Sequence, residues 1–153
     1  MSSRDLPHVA LSAHAHNREG LHRTDDEWLA AQWADPSTQV LVLAGTRLRT
    51  VQGRAHWVRP DQAPEGLRIL LGRRDSITRF AVVVGAELAK AEGQAEGAPA
   101  EGEESVKWVG LRGLFGEFTG DGGPQVAPWV FHAIGLAEWH WATRHCPRCG
   151  GDL

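Results

Sequence analysis

Two cysteines close the chain in the run His145-Cys146-Pro147-Arg148-Cys149-Gly150-Gly151-Asp152-Leu153. Two thiolates separated by two residues, with Pro between them and Gly after them, form a knuckle. Such a turn aims both sulfurs, with backbone N–H groups around them, at one tetrahedral Zn²⁺. Gly150 and Gly151 are expected to supply its positive φ angles. A redox dithiol is one rival. Its first cysteine sits at the N-terminus of a helix, whose dipole lowers the thiol pKa. Here the helical pattern precedes the pair, which disfavours redox chemistry. A pair of ordinary surface thiols is the other alternative. Structural zinc takes four ligands. Cys146 and Cys149 supply two, His145 is too close to Cys146 to be a third, and no other cysteine is present. The expected cofactor is structural Zn, held in a half site. Another chain completes it, or the chain is a piece cut inside a zinc ribbon.

The histidines carry less. His8, His14, His16 and His22 crowd the N-terminal segment. His14 and His16 share a face if that segment is a strand, but no acid or thiol recurs at ligand spacing. A solvated lead-in is therefore expected. His132 and His140 stand about 12 Å apart along one helix, too far to share a metal, so a packed or hydrogen-bonded role is expected for each. Arg47 and Arg49 lie on one side of a strand, where solvation is the ordinary fate. Gly110, Gly113 and Gly116 recur every third residue without the Lys-Ser/Thr of a phosphate loop. The acids near residues 89–105 lack the fixed spacing of an ion-binding loop.

The elements that position these groups are legible in outline. Thr24-Asp25-Asp26-Glu27 has the form of a capping box, with Thr24 as N-cap. The short helix after it places Trp28 with Gln32, and Leu29 with Trp33, one turn apart, as anchors onto a sheet. Strands are expected at 39–43, 47–51, 67–71 and 78–84. No helix of crossover length separates them, so an antiparallel meander is expected. Residues 89–105 are rich in Gly, Ala and Glu, and read as an exposed, mobile acidic loop. The longest helix is expected over 125–144, with Pro128 in its first turn, where the missing N–H costs nothing. Val126, Val130, Ala133, Ile134, Ala137 and Trp141 trace its apolar stripe, broadened by Trp129, Leu136 and Trp139. The expected class is α+β: a mostly antiparallel sheet, a short N-terminal helix and a long C-terminal helix, ending in half of a zinc ribbon. Residues 1–144 form the domain and 145–153 the ribbon fragment.

Composition narrows the function classes. The 153 residues suffice for one core without disulfides. Lys and Arg number 16 against 19 acids, a net charge of −3, which gives no bulk electrostatic grip on nucleic acid. Apolar runs are too short to span a membrane, and the N-terminus has no signal-peptide core. The expected compartment is the reducing cytoplasm.

Leu111-Arg112-Gly113-Leu114, then Ala137-Glu138-Trp139-His140 leading into Cys146-Pro147-Arg148-Cys149-Gly150, resembles the NAD(H) diphosphatases of the Nudix superfamily. Arg23-Thr24-Asp25, Trp28-Leu29 and Ala34-Asp35-Pro36 look like the N-terminal domain of their actinobacterial-type members. The resemblance implies three parts: an N-terminal Nudix-like domain, a four-cysteine zinc ribbon and a catalytic Nudix domain. Cys146 and Cys149 match the first zinc-ligand pair. The second pair and the Nudix box, which binds Mg²⁺ or Mn²⁺, have no counterpart in this sequence. Arg18-Glu19 and Glu103-Glu104 are the nearest fragments of that box, and neither has its context. No catalytic or cofactor-binding residue can therefore be carried over. The implied parent hydrolase cleaves NAD(H) to NMN(H) and AMP, with NAD-capped RNA as a further substrate in some members, and often as a homodimer. This chain alone is expected to be inactive.

Overall fold

The computed structural model describes residues 16–93, 105–118 and 123–153. His8, His14 and most of the acidic stretch, residues 94–104, lie outside them. The class is α+β. Helix α1 is Asp26–Ala34, followed by β1 (Gln39–Ala44), β2 (Arg47–Val51), β3 (Arg54–Ala55) and β4 (Trp57–Val58). Then come β5 (Leu67–Arg74), β6 (Ile77–Val84), α2 (Ala86–Gly93) and β7 (Val106–Val109). A 3₁₀ turn over Leu111–Leu114 leads into α3 (Phe115–Phe118) and α4 (Gly123–Ala142).

One mixed sheet holds all seven strands, in the order β3-β2-β1-β6-β5, with β4 also on β1 and β7 also on β2. Five of the six strand pairings are antiparallel, but the central one is not: β1 and β6 run parallel, Gln39 opposite Arg79 through Ala44 opposite Val84. The expected simple meander is corrected here. The crossover is built from strands rather than a helix, because β2 to β5 wrap the edges before β6 returns beside β1. β3 and β4 form one bent return strand that pairs first with β2 and then with β1.

β1 is central, and Val40 through Ala44 are all buried. That is why it reads as an unbroken apolar run rather than an alternation. Leu41 and Leu43 face the larger core, with Leu48, Leu71, Leu114, Phe118 and α4. Val40, Leu70, Phe80 and Val82 face a smaller core covered by Trp28, Leu29 and Trp33 of α1. The anchoring role expected of α1 is met. Trp33 stands edge-on to Phe80 at 5.3 Å between ring centroids, and the Thr78 hydroxyl donates to the Gln32 side chain.

Several local expectations are corrected. The N-cap of α1 is Asp25, one residue beyond Thr24: its carboxylate accepts from the Trp28 N–H at 3.0 Å. An acidic side chain at a helix N-terminus also complements the helix dipole. Residues 89–93 are not loop but the end of α2, held by Glu92, which accepts from Arg49 at 3.3 Å and from the Trp108 indole at 3.1 Å. Arg49 is therefore engaged rather than solvated, with the His56 ring at 2.7 Å as a second contact, while Arg47 is exposed. α4 begins two residues earlier than expected, which puts Pro128 inside the helix rather than in its first turn. Its buried stripe is Ala127, Trp129, Val130, Ala133, Ile134 and Ala137. Trp139 and Trp141, expected to be covered, are 51% and 69% exposed.

Gly72 decides how the N-terminal segment crosses the sheet. β5 carries a register shift between Leu70 and Gly72, and Gly72 has φ +142. Asn17 pairs antiparallel with Arg73, donating at 3.1 Å and accepting at 2.7 Å. A Cβ on Gly72 would sit 2.1 Å from the Asn17 carbonyl oxygen, so only glycine permits this approach.

Candidate metal centre

α4 runs out at Ala142, and the Thr143 N–H adds one more bond to the Trp139 carbonyl at 2.8 Å. The chain then folds into a small hairpin. His145 and Asp152 form its bridge. Cys146 N–H donates to the Gly151 carbonyl at 2.7 Å, and Leu153 N–H to the Arg144 carbonyl at 3.0 Å. At the tip the Gly150 N–H closes a turn onto the Cys146 carbonyl at 2.8 Å. Gly150 has φ +70, the left-handed region that favours glycine. Gly151 does not share it, so one of the two glycines serves the turn and the other continues the strand.

Cys146 and Cys149 are both free thiols, half-exposed and exposed respectively. The backbone N–H of Arg148, then that of Cys149, donates to the Cys146 sulfur, and the Cys149 thiol adds a third bond. Together they hold the Cys146 thiol below its ordinary pKa. Hydrogen bonds to the charged form favour it, and the thiolate is the form that ligates a metal. The lowering comes from turn N–H groups and the Cys149 thiol rather than from a helix N-terminus, a cause that serves a redox dithiol as well as a metal ligand.

The donor set fits half of a tetrahedral zinc site. Two sulfurs lie on one tight turn, and N–H donors stabilise the thiolate of Cys146, which suits S-ligated zinc. His145 does not join them: its Nδ1 lies 2.9 Å from an Asp152 carboxylate oxygen across the hairpin. Among the described residues no group of three or more His, Cys, Asp or Glu side chains converges to hold a metal ion. When bound, zinc would supply structural cross-linking here. The residues that would hold it are Cys146 and Cys149, with two further ligands from outside these residues.

The other candidate histidines separate. His16 is not a solvated lead-in. Its ring stacks on Trp129 with centroids 3.6 Å apart, and its Nε2 lies 3.0 Å from Nδ1 of His132. Burial, and secondarily the charge of Arg18, lowers both imidazoles to a pKa of about 4. An N–H···N bond needs one bare nitrogen, so the pair is neutral at pH 7. The packed role expected for His132 is met, and its partner lies 116 residues away. The packed role expected for His140 is not met: it is exposed near the C-terminal end of α4, where it borders a cleft with Arg23 and Arg68.

One polar group had no sequence signal. Glu117 of α3 accepts from the Ala55 N–H at 2.7 Å and so ties down the short strand β3. Burial raises its pKa, opposed by the Ala55 N–H and by Arg54. A Glu between two Phe residues in a Gly-rich stretch reads as a surface residue unless the tertiary contact is known.

No protein-family model matches the chain, and no curated protein matches it. Among the described residues no helix is long and apolar enough to cross a membrane.

Proposed function

We propose that this chain is the N-terminal, non-catalytic part of a Nudix-type hydrolase that cleaves the pyrophosphate of NAD(H) to NMN(H) and AMP, with NAD-capped RNA as a second substrate class. Its own work is folding, assembly and positioning of substrate. Hydrolysis belongs to a Mg²⁺- or Mn²⁺-dependent part that this sequence does not contain, where the metal polarises phosphoryl oxygens and activates water. The observation that carries the reading is the knuckle. Cys146 and Cys149 share a hairpin tip, the Cys146 sulfur accepts two backbone N–H bonds, and the whole unit directly follows a long packed helix. An α+β domain that leads into half of a four-sulfur site is the arrangement the proposed enzyme class requires ahead of its catalytic domain.

A second reading has its own support. The exposed Trp139, Trp141 and Leu153 flank the knuckle in sequence, and whatever delivers the missing ligands can also cover them. In this reading a partner chain delivers them, and the protein is a stand-alone zinc-knuckle module.

Three measurements separate the readings. Purified chain incubated with NADH and Mn²⁺ is expected to release no AMP; release of AMP would overturn the non-catalytic assignment. The natural reading frame past the Leu153 codon is expected to encode a second Cys-x-x-Cys and a Nudix box; a frame without them overturns the hydrolase reading. One zinc per two chains in a stable dimer supports the partner-chain module, whereas substoichiometric zinc on a monomer supports the first reading.

A further inference from the structure

A cleft of about 420 Å³ opens where α1 meets the outer strand β5. That volume falls within the range of small-molecule sites, about 300–1,000 Å³. Its apolar wall includes Trp33, Leu70 and Phe80, and two guanidiniums, Arg23 and Arg68, line it. The cations are held differently. Arg23 is half-buried and donates through one Nη to the Leu70 carbonyl at 3.0 Å. Arg68 is exposed and lies 4.0 Å above the centre of the Trp33 ring, in cation–π contact. Among the described residues neither has a carboxylate within salt-bridge distance.

That arrangement needs an explanation, because a part-buried cation without a counter-ion is costly. Burial, and then the charge of Arg18, already pushes the Arg23 pKa down. A guanidinium offers five donors, and the Leu70 carbonyl engages one of its nitrogens. Arg68, whose side chain lies above the Trp33 ring with no hydrogen-bond or ion-pair partner among the described residues, has donors available for a planar oxyanion. Two guanidiniums beside an aromatic wall suit one kind of ligand: an apolar ring or chain for the wall, ending in an oxyanion for the arginines. Asp26 borders the same cleft, and like-charge repulsion from it favours a singly charged carboxylate over a more highly charged phosphate monoester.

We propose that this cleft is a binding site for a small aryl or aralkyl oxyanion, the charged group between Arg23 and Arg68 and the apolar body against Trp33, Leu70 and Phe80. The site is independent of the cysteine knuckle and of the hydrolase reading, and it can fail or hold separately from both. A carboxylate or a phosphate monoester could supply the oxyanion, and the test distinguishes them.

The test follows the Trp33 indole N–H signal of the full chain by NMR, assigned with Trp33→Phe. The titrants are 3-phenylpropionate, phenyl phosphate and, as a neutral control, benzyl alcohol. Saturable movement of the Trp33 signal is expected with at least one anion and not with benzyl alcohol. Movement with only one anion identifies the class. Arg68→Gln, at an exposed position, is expected to weaken binding about 10-fold or more, as is Arg23→Gln. Arg112→Gln, on the Leu111–Leu114 turn away from the cleft, is expected to leave it unchanged. The proposal is overturned if neither anion moves the signal at millimolar concentration, if benzyl alcohol binds equally well, or if Arg68→Gln has no effect. Should Arg23→Gln unfold the chain, the Arg68→Gln result alone decides.

Discussion

The knuckle and the His16–Trp129–His132 stack hold polar groups in opposite ways. In the knuckle every contact to the Cys146 sulfur comes from within three residues, and the site is exposed. In the stack the two imidazoles come from chain positions 116 apart and are half-buried against a fully packed indole. The first is a local device that any neighbouring fold could carry. The second exists only once β5, the N-terminal segment and α4 have come together. Chemistry written in consecutive residues survives as a sequence pattern, and chemistry assembled by folding does not.

The sharpest way to break the stack is Trp129→Ala. It removes a buried indole that supports His16, meets Trp57 edge-on and carries Arg79 at 4.6 Å. A loss of about 3–5 kcal/mol is expected from truncating a buried aromatic, read as a lower urea midpoint at unchanged slope. Gly72→Ala attacks the same assembly from the other side. It strains a residue at φ +142 and drives a Cβ into the Asn17 carbonyl. A cost of about 2 kcal/mol is expected, with faster hydrogen exchange at Arg73, whose N–H is bonded to Asn17.

Acid should loosen the stack next. His16 and His132 titrate near 4 when folded and near 6.5 when unfolded. Between those values the unfolded chain binds more protons, so stability falls as pH drops from about 6.5 towards 4. The rings are only half-buried, so solvent screening cuts the effect to about 1–3 kcal/mol. His132→Gln should flatten the Tm-against-pH curve over that window; an unchanged curve would refute the assignment. Cys146→Ser marks the other pole. It should shift domain stability by less than about 0.5 kcal/mol, yet weaken the thiolate-to-Co²⁺ charge-transfer band that the native chain is expected to show on titration with cobalt, with the Cys146→Ser, Cys149→Ser double variant abolishing it.

The same division explains what the sequence disclosed about the fold. α1, β1, β2, β5, β6 and α4 were legible because each carries its own period or apolar run. The sheet order was not, since Val40 through Ala44 look alike whether β6 runs parallel or antiparallel to them. The helix over 86–93 was hidden because its ties, Glu92 to Arg49 and Trp108, are tertiary. The stripe of α4 over-reached to Trp141 because periodicity marks an apolar face but not where the sheet beneath it ends. For the candidate sites, the knuckle was readable in five residues. The Arg23–Arg68 cleft was not, as nothing in the sequence places one beside the other.

The parallel pairing of β1 with β6 also sets the timetable of folding. Gln39 meets Arg79, so the centre of the sheet closes a loop of about 40 residues before it gains its parallel ladder, and such distant pairings slow folding. On the ribosome β1 can pair early with β2 and β4 on one edge, but its other edge must wait until β6 has emerged. That open edge in the middle of the future sheet is a place where aggregation can start during synthesis.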